Sequence, residues 1–270
     1  MNEDDFSVII VTFNSEADIL GLLTDIDSID PEILPRTIVI DNHSSDTTVA
    51  LIQANYAQIV LIPNEINIGY GAAINQAAGM VQTNYFFLLN PDICLTPHFF
   101  SGLTEVMKYK DVAAAGPLQY KIEGCKKFLN FCWSFWKIDC FKIYLEKNLF
   151  PWKSYSQPIR VDFLNAGCLM IKKSAFDAVG GFNQRYFLYG EEPDLFLKFK
   201  LHGYLCYLHP GVEVIHYRDH SIKQLSGLAR AGLKLAAVRN ISDAMIRGYW
   251  RIFRDRVLRA NSAELIRPQD

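Results

Sequence analysis

Phe86-Phe87-Leu88-Leu89-Asn90-Pro91-Asp92 is a run of four large apolar residues that stops at a rigid turn carrying an acid. A continuous apolar run, rather than an alternating one, suits a strand buried on both faces of a mostly parallel sheet. The same construction recurs upstream. Residues 8–11 run into Thr12-Phe13-Asn14, residues 38–40 into Asp41-Asn42-His43-Ser44-Ser45-Asp46, and residues 59–62 into Pro63-Asn64-Glu65. Helical patterns lie between these strands. Leu20, Leu23 and Ile26 share one face, 47–54 follows a capping Asp46, 71–80 is alanine-rich, and Thr96 as N-cap with Pro97 opens a helix over 97–109. The alternation predicts an α/β fold, a mostly parallel central sheet flanked by helices.

Downstream, the pattern breaks over about 121–156 into an aromatic and basic stretch that holds three of the four tryptophans. It reads equally as a core helix pair or as an insertion facing an acceptor or a membrane. Order returns with an apolar run at 167–171, a short helix capped by Ser174, a helix over 193–202, and strand-like runs at 205–208 and 212–215. Residues 1–221 are expected to form one domain and 222–270 a helical C-terminal extension. In that extension ten Lys and Arg face four acids, with Leu, Ile, Val and Trp250 between them. A basic amphipathic helix can lie on anionic lipid, and an ordinary helix packed on its own domain explains the pattern equally well.

With 270 residues, 50% hydrophobic and 21% charged, the chain holds material for one sizeable α/β core, which excludes a disordered or collagen-like chain. Twenty-seven Lys and Arg against 29 Asp and Glu exclude an overall electrostatic nucleic-acid binder. The six cysteines show no C-x-x-C pair and several sit in apolar runs, which reads as a reducing compartment without structural zinc. The acidic start Met1-Asn2-Glu3-Asp4-Asp5 is unlike a secretory signal, and no apolar run reaches the roughly 18 residues of a spanning helix. A cytoplasmic protein is expected, placed at the inner membrane face if the extension takes the lipid-facing of its two readings.

Acids and one histidine gather at strand ends. Asp41 closes a buried strand at the carboxyl edge, where open α/β sheets bind ligands, and a carboxylate there accepts the imide N–H of uracil or thymine. Asp46 reads as a plain cap. Gly69 and Gly71 in Asn67-Ile68-Gly69-Tyr70-Gly71 have G-x-G spacing before a helix, but the acid precedes them and Ile74 replaces the third glycine of a dinucleotide fingerprint. Asp92 behind Pro91 suits a hard divalent cation carrying diphosphate oxygens. Tyr189-Gly190-Glu191-Glu192-Pro193-Asp194 puts three acids at a helix start, with Pro193 at N1, where the positive helix end keeps Glu192 ionised as a base. His216 ends a strand and, with Asp92, makes a mixed oxygen and nitrogen site for Mn²⁺ or Mg²⁺.

Taken in order, SVIIVTFN, VIDNHSSD, NIGYGAAIN, FLLNPD, the stretch from Asn165 to Leu195 and GVEVIHYRDHS resemble the inverting family 2 glycosyltransferases of GT-A fold, especially the bacterial rhamnosyltransferase-like group. The resemblance covers about residues 6–221. It implies a nucleoside diphosphate sugar donor, first dTDP-rhamnose and then UDP-sugars, and a saccharide or lipid-linked saccharide acceptor in surface polysaccharide biosynthesis. Thr12 and Asn14 would line the nucleotide site, Asp41 would hold the base, and the loop with Asn67, Gly69 and Gly71 would close over it. Asn90-Pro91-Asp92 stands in the place of the D-x-D motif, with Asp92 and His216 as metal ligands. Glu191-Glu192 matches the acid pair whose second member is the catalytic base, and Asp194 matches the acid that follows.

Two departures stand out. Asn90 replaces the first acid of the metal motif, and Glu192 stands where Asp is usual. The extra methylene displaces the carboxylate by about one C–C bond, and a misplacement of about 1 Å can cost on the order of 100-fold in rate. Glu191 or Asp194 then becomes a candidate to share the role. Two other function classes compete: a nucleotidyltransferase on a related fold, which lacks a Lys/Arg-rich glycine loop here, and a non-catalytic nucleotide-sugar or glycan-binding subunit.

Overall fold

A computed structural model describes residues 6–123, 126–129, 155–217, 232, 235–248, 250 and 254. In chain order the first half comprises β1 (Phe6–Thr12), α1 (Ile19–Ile29), β2 (Thr37–Asp41), α2 (Thr48–Asn55), β3 (Val60–Pro63), α3 (Tyr70–Ala78) and β4 (Tyr85–Leu89). The second half comprises β5 (Ile93–Cys94), α4 (Phe99–Val106), β6 (Val112–Glu123), β7 (Lys126–Leu129), β8 (Ile159–Val161), β9 (Cys168–Lys172), α5 (Lys173–Ala178), α6 (Glu191–Leu201) and β10 (Leu205–His216). A last helix, α7, spans 235–248.

One sheet runs through the molecule in the order β3-β2-β1-β4-β9-β6-β10-β5, with β7 beside β6 and β8 beside β10. The first four strands are parallel, as their continuous apolar runs predict. β9 then runs antiparallel to both β4 and β6, and β10 returns parallel to β6. All seven residues of β1 are buried. Because successive side chains point to opposite faces, Val8 and Ile10 pack with Leu22, Leu23 and Ile26 of α1 and Phe99 of α4, while Ile9 and Val11 pack with Ala73, Ile74 and Ala77 of α3.

The chain leaves β1 toward β2 and β3, then returns on the other side of β1 to β4. Strand order therefore reverses between β1 and β4, and the loops at their carboxyl ends part to leave a crevice. Thr12 lies opposite Asp41 in the register, and Asn90 follows Leu89 at the same edge. The fold expected from the sequence is the fold observed.

Several local expectations change. The buried face of α1 carries Ile19 and Leu22 rather than Leu20. β3 is an edge strand with exposed ends, since only β2 flanks it. α4 starts two residues later than Pro97: Thr96 donates its hydroxyl to the Glu213 carbonyl at 3.1 Å, so it ties β10 to the turn instead of capping the helix. Ser174 lies inside α5 rather than before it. The runs at 205–208 and 212–215 join into one strand with a register irregularity between His209 and Glu213. Of the aromatic stretch, Lys126–Leu129 forms a hairpin strand on β6, and 130–154 lies outside the described residues.

Phe87 is fully buried among the rings of Phe6, Phe99 and Phe100, at centroid distances of 4.8, 5.4 and 4.9 Å. Phe87→Ala is expected to lower unfolding free energy by about 3–5 kcal/mol in chemical denaturation, because a rigid sheet cannot collapse into the space left.

Candidate active site

A cleft of about 340 Å³ opens at the β1/β4 crevice, and its wall includes Thr12, Asn42, Asn67, Tyr70, Asp92 and His216 together with Glu191 and Glu192. Residues from β1, the turn after β4, α3, α6 and β10 thus converge at one rim. Gly69 and Asn90 also line it, whereas Asn14, Asp41, Gly71 and Asp194 do not.

Asp41 sits just beneath the wall, 1% exposed. Its Oδ1 accepts the hydroxyls of Thr12 at 2.8 Å and Ser44 at 2.5 Å, and its Oδ2 accepts the Ser44 N–H at 2.8 Å. These bonds hold the two loops together. Asn14, with φ +50°, accepts the Ser45 N–H at 2.8 Å and donates its own N–H to the Ser44 hydroxyl at 2.8 Å. Asn42, which the sequence offered only as a turn residue, reaches the wall itself and donates to Asn67 Oδ1 at 2.9 Å.

The glycines of the 67–71 loop serve close packing. Gly69 has φ +87°, and a Cβ there would lie 2.7 Å from the Phe187 carbonyl oxygen, which accepts the Tyr70 N–H at 3.1 Å. Gly71 lies inside α3 against Phe182. The close approach seats Tyr70, whose hydroxyl donates to Asn90 Oδ1 at 2.7 Å and lies 3.2 Å from the Ala166 carbonyl. Burial, then the carboxylates of Glu192, Glu191 and Asp92, push the Tyr70 phenol well above its ordinary range, so it stays a donor.

Asp92 and His216 meet because β5 pairs antiparallel with the end of β10, His216 opposite Ile93. His216 Nε2 is 3.1 Å from Asp92 Oδ1. Gln119 gives its amide N–H to the Asn165 carbonyl at 3.4 Å, which turns its oxygen to His216 Nδ1 at 2.9 Å. The ring therefore donates from Nδ1 and directs Nε2 at Asp92 and at the Asn90 amide, 3.4 Å away. Among the described residues no group of three or more His, Cys, Asp or Glu gathers as a metal cage, so Asp92 and His216 stand as a pair.

α6 begins two residues earlier than Pro193 suggests. Gly190 is its N-cap in a left-handed conformation, so Glu191, Glu192 and Asp194 all fall in the first turn, and Pro193 costs no hydrogen bond there. Their surroundings separate the three acids. Asp194 turns away from the cleft and pairs with Lys198 at 2.9 Å. Glu192 faces the cleft and accepts the Ala166 N–H on Oε1 at 2.8 Å. Glu191 is 3% exposed, and its Oε2 makes no hydrogen bond among the described residues. Burial, reinforced by the neighbouring Glu192 carboxylate, raises Glu191 from the ordinary 4.5 to about 8.

The glycosyl transferase family 2 model matches residues 7–180, more than half of the chain and all of the parallel half-sheet. The chain belongs to glycosyl transferase family 2. Among curated family relatives, N-acetylglucosaminyl-diphospho-decaprenol L-rhamnosyltransferase of Mycobacterium tuberculosis is 27% identical over 68% of this chain and 67% of its own length. Rhamnosyltransferase WbbL of Escherichia coli K12 is 26% identical over 79% of this chain and 83% of its own. Solved structures share the GT-A fold. GalNAc-T7, crystallised with UDP, GalNAc and Mn²⁺, aligns with TM-score 0.62 at 15% identity over 80% of this chain and 44% of its own. Mannosyltransferase PcManGT from Pyrobaculum calidifontis, in complex with GDP-Man and Mn²⁺, aligns with TM-score 0.59 at 15% identity over 97% and 80%. No helix of the described residues is long and apolar enough to cross a membrane.

A carboxyl group raised in the folded state takes up its proton there while the unfolded chain has lost it. Glu191 therefore favours the folded state least at high pH, and stability should fall as pH rises from about 4.5 to about 8. Glu191→Gln is expected to flatten that part of the profile, measured as melting temperature against pH.

Proposed function

We propose that the cleft performs a single-displacement, inverting glycosyl transfer from a nucleoside diphosphate sugar to an acceptor hydroxyl, with Glu192 as the base. The observation that carries this is the separation of the two cleft carboxyls. Glu191 is buried and held neutral near pH 7, while Glu192 faces the cleft with one oxygen anchored on the Ala166 N–H. An anchored carboxylate keeps a fixed direction for proton removal, and the positive end of α6 favours its ionised form. A neutral Glu191 beside it avoids a second buried charge and leaves a carboxylic acid that donates a hydrogen bond to a substrate oxygen.

Thr12, Asn42, Asn67 and Gly69 would enclose the nucleoside, with Asp41 and Asn14 holding the loops that shape its pocket. Asp41, buried with both oxygens taken by Thr12 and Ser44, would shape the nucleoside pocket through those residues and would not touch the nucleobase itself. Asp92 and His216 fit a Mn²⁺ or Mg²⁺ ion, because Gln119 engages Nδ1 and leaves Nε2 beside a carboxylate oxygen 3.1 Å away, so a nitrogen and an oxygen ligand face the same space. Bound there, the ion would neutralise charge growing on the leaving diphosphate. Asn90 supplies a neutral amide in place of a further charge and orients the ring it touches.

The rhamnosyltransferase relatives, one of them named for an N-acetylglucosaminyl-diphospho-decaprenol acceptor, support dTDP-rhamnose as donor and a lipid-linked saccharide as acceptor. Exposed Leu235, Val238, Ile246 and Trp250 on and just beyond α7, with exposed Arg239, support contact with an anionic membrane surface.

Glu192→Gln is expected to keep donor binding, seen as an unchanged thermal shift with dTDP-rhamnose and Mn²⁺, and to lose transfer by on the order of 10²–10⁴-fold. Transfer at the native rate would remove Glu192 from the mechanism. Asp92→Ala should lower turnover by on the order of 10²–10³-fold and abolish the Mn²⁺-dependent part of the donor thermal shift. A full Mn²⁺ response in that variant would place the ion elsewhere.

A further inference from the structure

The cleft wall on the side of α6 is a short loop, Tyr186 to Gly190, that leads directly into Glu191 and Glu192. Phe187, Leu188 and Tyr189 line the cleft. This loop is conformationally awkward. Tyr189 has φ +61° and Gly190 φ +96°, two successive residues in the left-handed region, one of them with a bulky side chain. A loop of this kind keeps one shape only when its surroundings impose it.

The surroundings that do so belong largely to α7, a helix distant in sequence from the acid motif. Asn240 donates its side-chain amide to the Leu188 carbonyl at 3.1 Å. Its backbone presses on Gly190 so closely that a Cβ at 190 would lie 2.8 Å from the Asn240 carbonyl oxygen. One turn on, Asp243 accepts the buried Tyr186 hydroxyl at 2.9 Å and is itself held by Arg247 at 2.7 Å. Burial and the Asp243 carboxylate raise the Tyr186 phenol to about 12, so it remains a donor. Ala244 is fully buried, and Gly248 lies so close to Leu197 of α6 that a Cβ there would meet it at 2.1 Å. Small residues at one-turn spacing let α7 seat directly on the catalytic helix, while Asn240 and Asp243 grip the two ends of the loop.

We propose that α7 is a latch for the acceptor side of the active site, with Asn240 and Asp243 as positioning residues that set the loop 186–190 and, through it, the direction of the Glu192 carboxylate. The proposal rests on the reading of Glu192 as the base. Neither residue lines the cleft, so each acts through the loop.

The test compares Asn240→Ala, Asp243→Asn and Tyr186→Phe with Ser242→Ala, an exposed position on the same helix. In the full chain without ligand, amide hydrogen exchange over 187–192 should quicken by about tenfold in the first three variants and stay unchanged in Ser242→Ala. With dTDP-rhamnose and Mn²⁺, release of dTDP should show kcat lowered by about tenfold at a donor KM within about twofold of the native value. Asp243→Glu, which keeps the acceptor for Tyr186, should recover part of the loss. Unchanged exchange in Asn240→Ala and Asp243→Asn overturns the latch. Faster exchange with unchanged kcat overturns its positioning role, as does a loss confined to donor KM. A native protein that turns over no nucleoside diphosphate sugar would instead sink the reading of the cleft, and the exchange experiment would still decide whether α7 holds the loop.

Discussion

Between β4 and β9 the backbone at Gly167 comes so near its neighbours that a single added carbon would meet His216 at 2.7 Å, Asn165 at 2.9 Å and Asn90 at 3.0 Å. The Asn90 N–H donates to the Gly167 carbonyl at 2.8 Å, so the antiparallel pairing of β9 with β4 continues one residue past the strand and ends inside the cleft. Without that approach the parallel half-sheet and the mixed half-sheet would not present side chains to the same space. Asn90 and Asp92 come from the first half, and Ala166, Glu192 and His216 from the second. Glycine is required at 167 for lack of room, since its φ is ordinary.

Around this junction, charge is managed by giving each acid a different environment. Asp41 is buried under three hydrogen bonds from Thr12 and Ser44, Asp194 is paired with Lys198, Asp92 faces an imidazole, and Glu192 is tied to a backbone N–H. For Glu191, burial and the neighbouring Glu192 carboxylate outweigh the backbone hydrogen bonds from Glu191 and Tyr189, and it holds its proton near pH 7. Tyr70 lies among these groups as a neutral donor that touches Asn90 and the Ala166 carbonyl, while the Ala166 N–H serves Glu192. A hydroxyl thus links Asn90 to the residue that anchors Glu192, in a region where a further charge would be costly.

Much of the site was legible in the residue order because acids and a histidine stood where apolar runs end, and in an α/β sheet those ends share one edge. Asp92, Glu191, Glu192 and His216 do meet at one rim. Tyr70 and Asn42 were not legible as wall residues. Tyr70 looked like a spacer between two glycines, and only the approach of Phe187 and Ala166 gives its hydroxyl a task. Gln119 sits within β6 and carries no motif at all, yet it chooses the tautomer of His216. Helix starts were misplaced where a tertiary bond took the capping side chain, as Glu213 does with Thr96, or where a left-handed glycine, Gly190, began the helix ahead of the proline.

Local chemistry alone determined the parallel half-sheet and its ligand edge, because runs that are apolar on both faces can only be buried between helix layers and their polar ends must then emerge together. It determined which residue types stand at that edge as well. Tertiary structure decided that Glu191 holds its proton, since burial is the main cause of its raised pKa and burial cannot be read from adjacency in the chain. It also decided that a helix more than forty residues beyond the acid motif touches the loop before it, because contact between segments so far apart is set by how whole surfaces pack and leaves no periodic trace in the sequence.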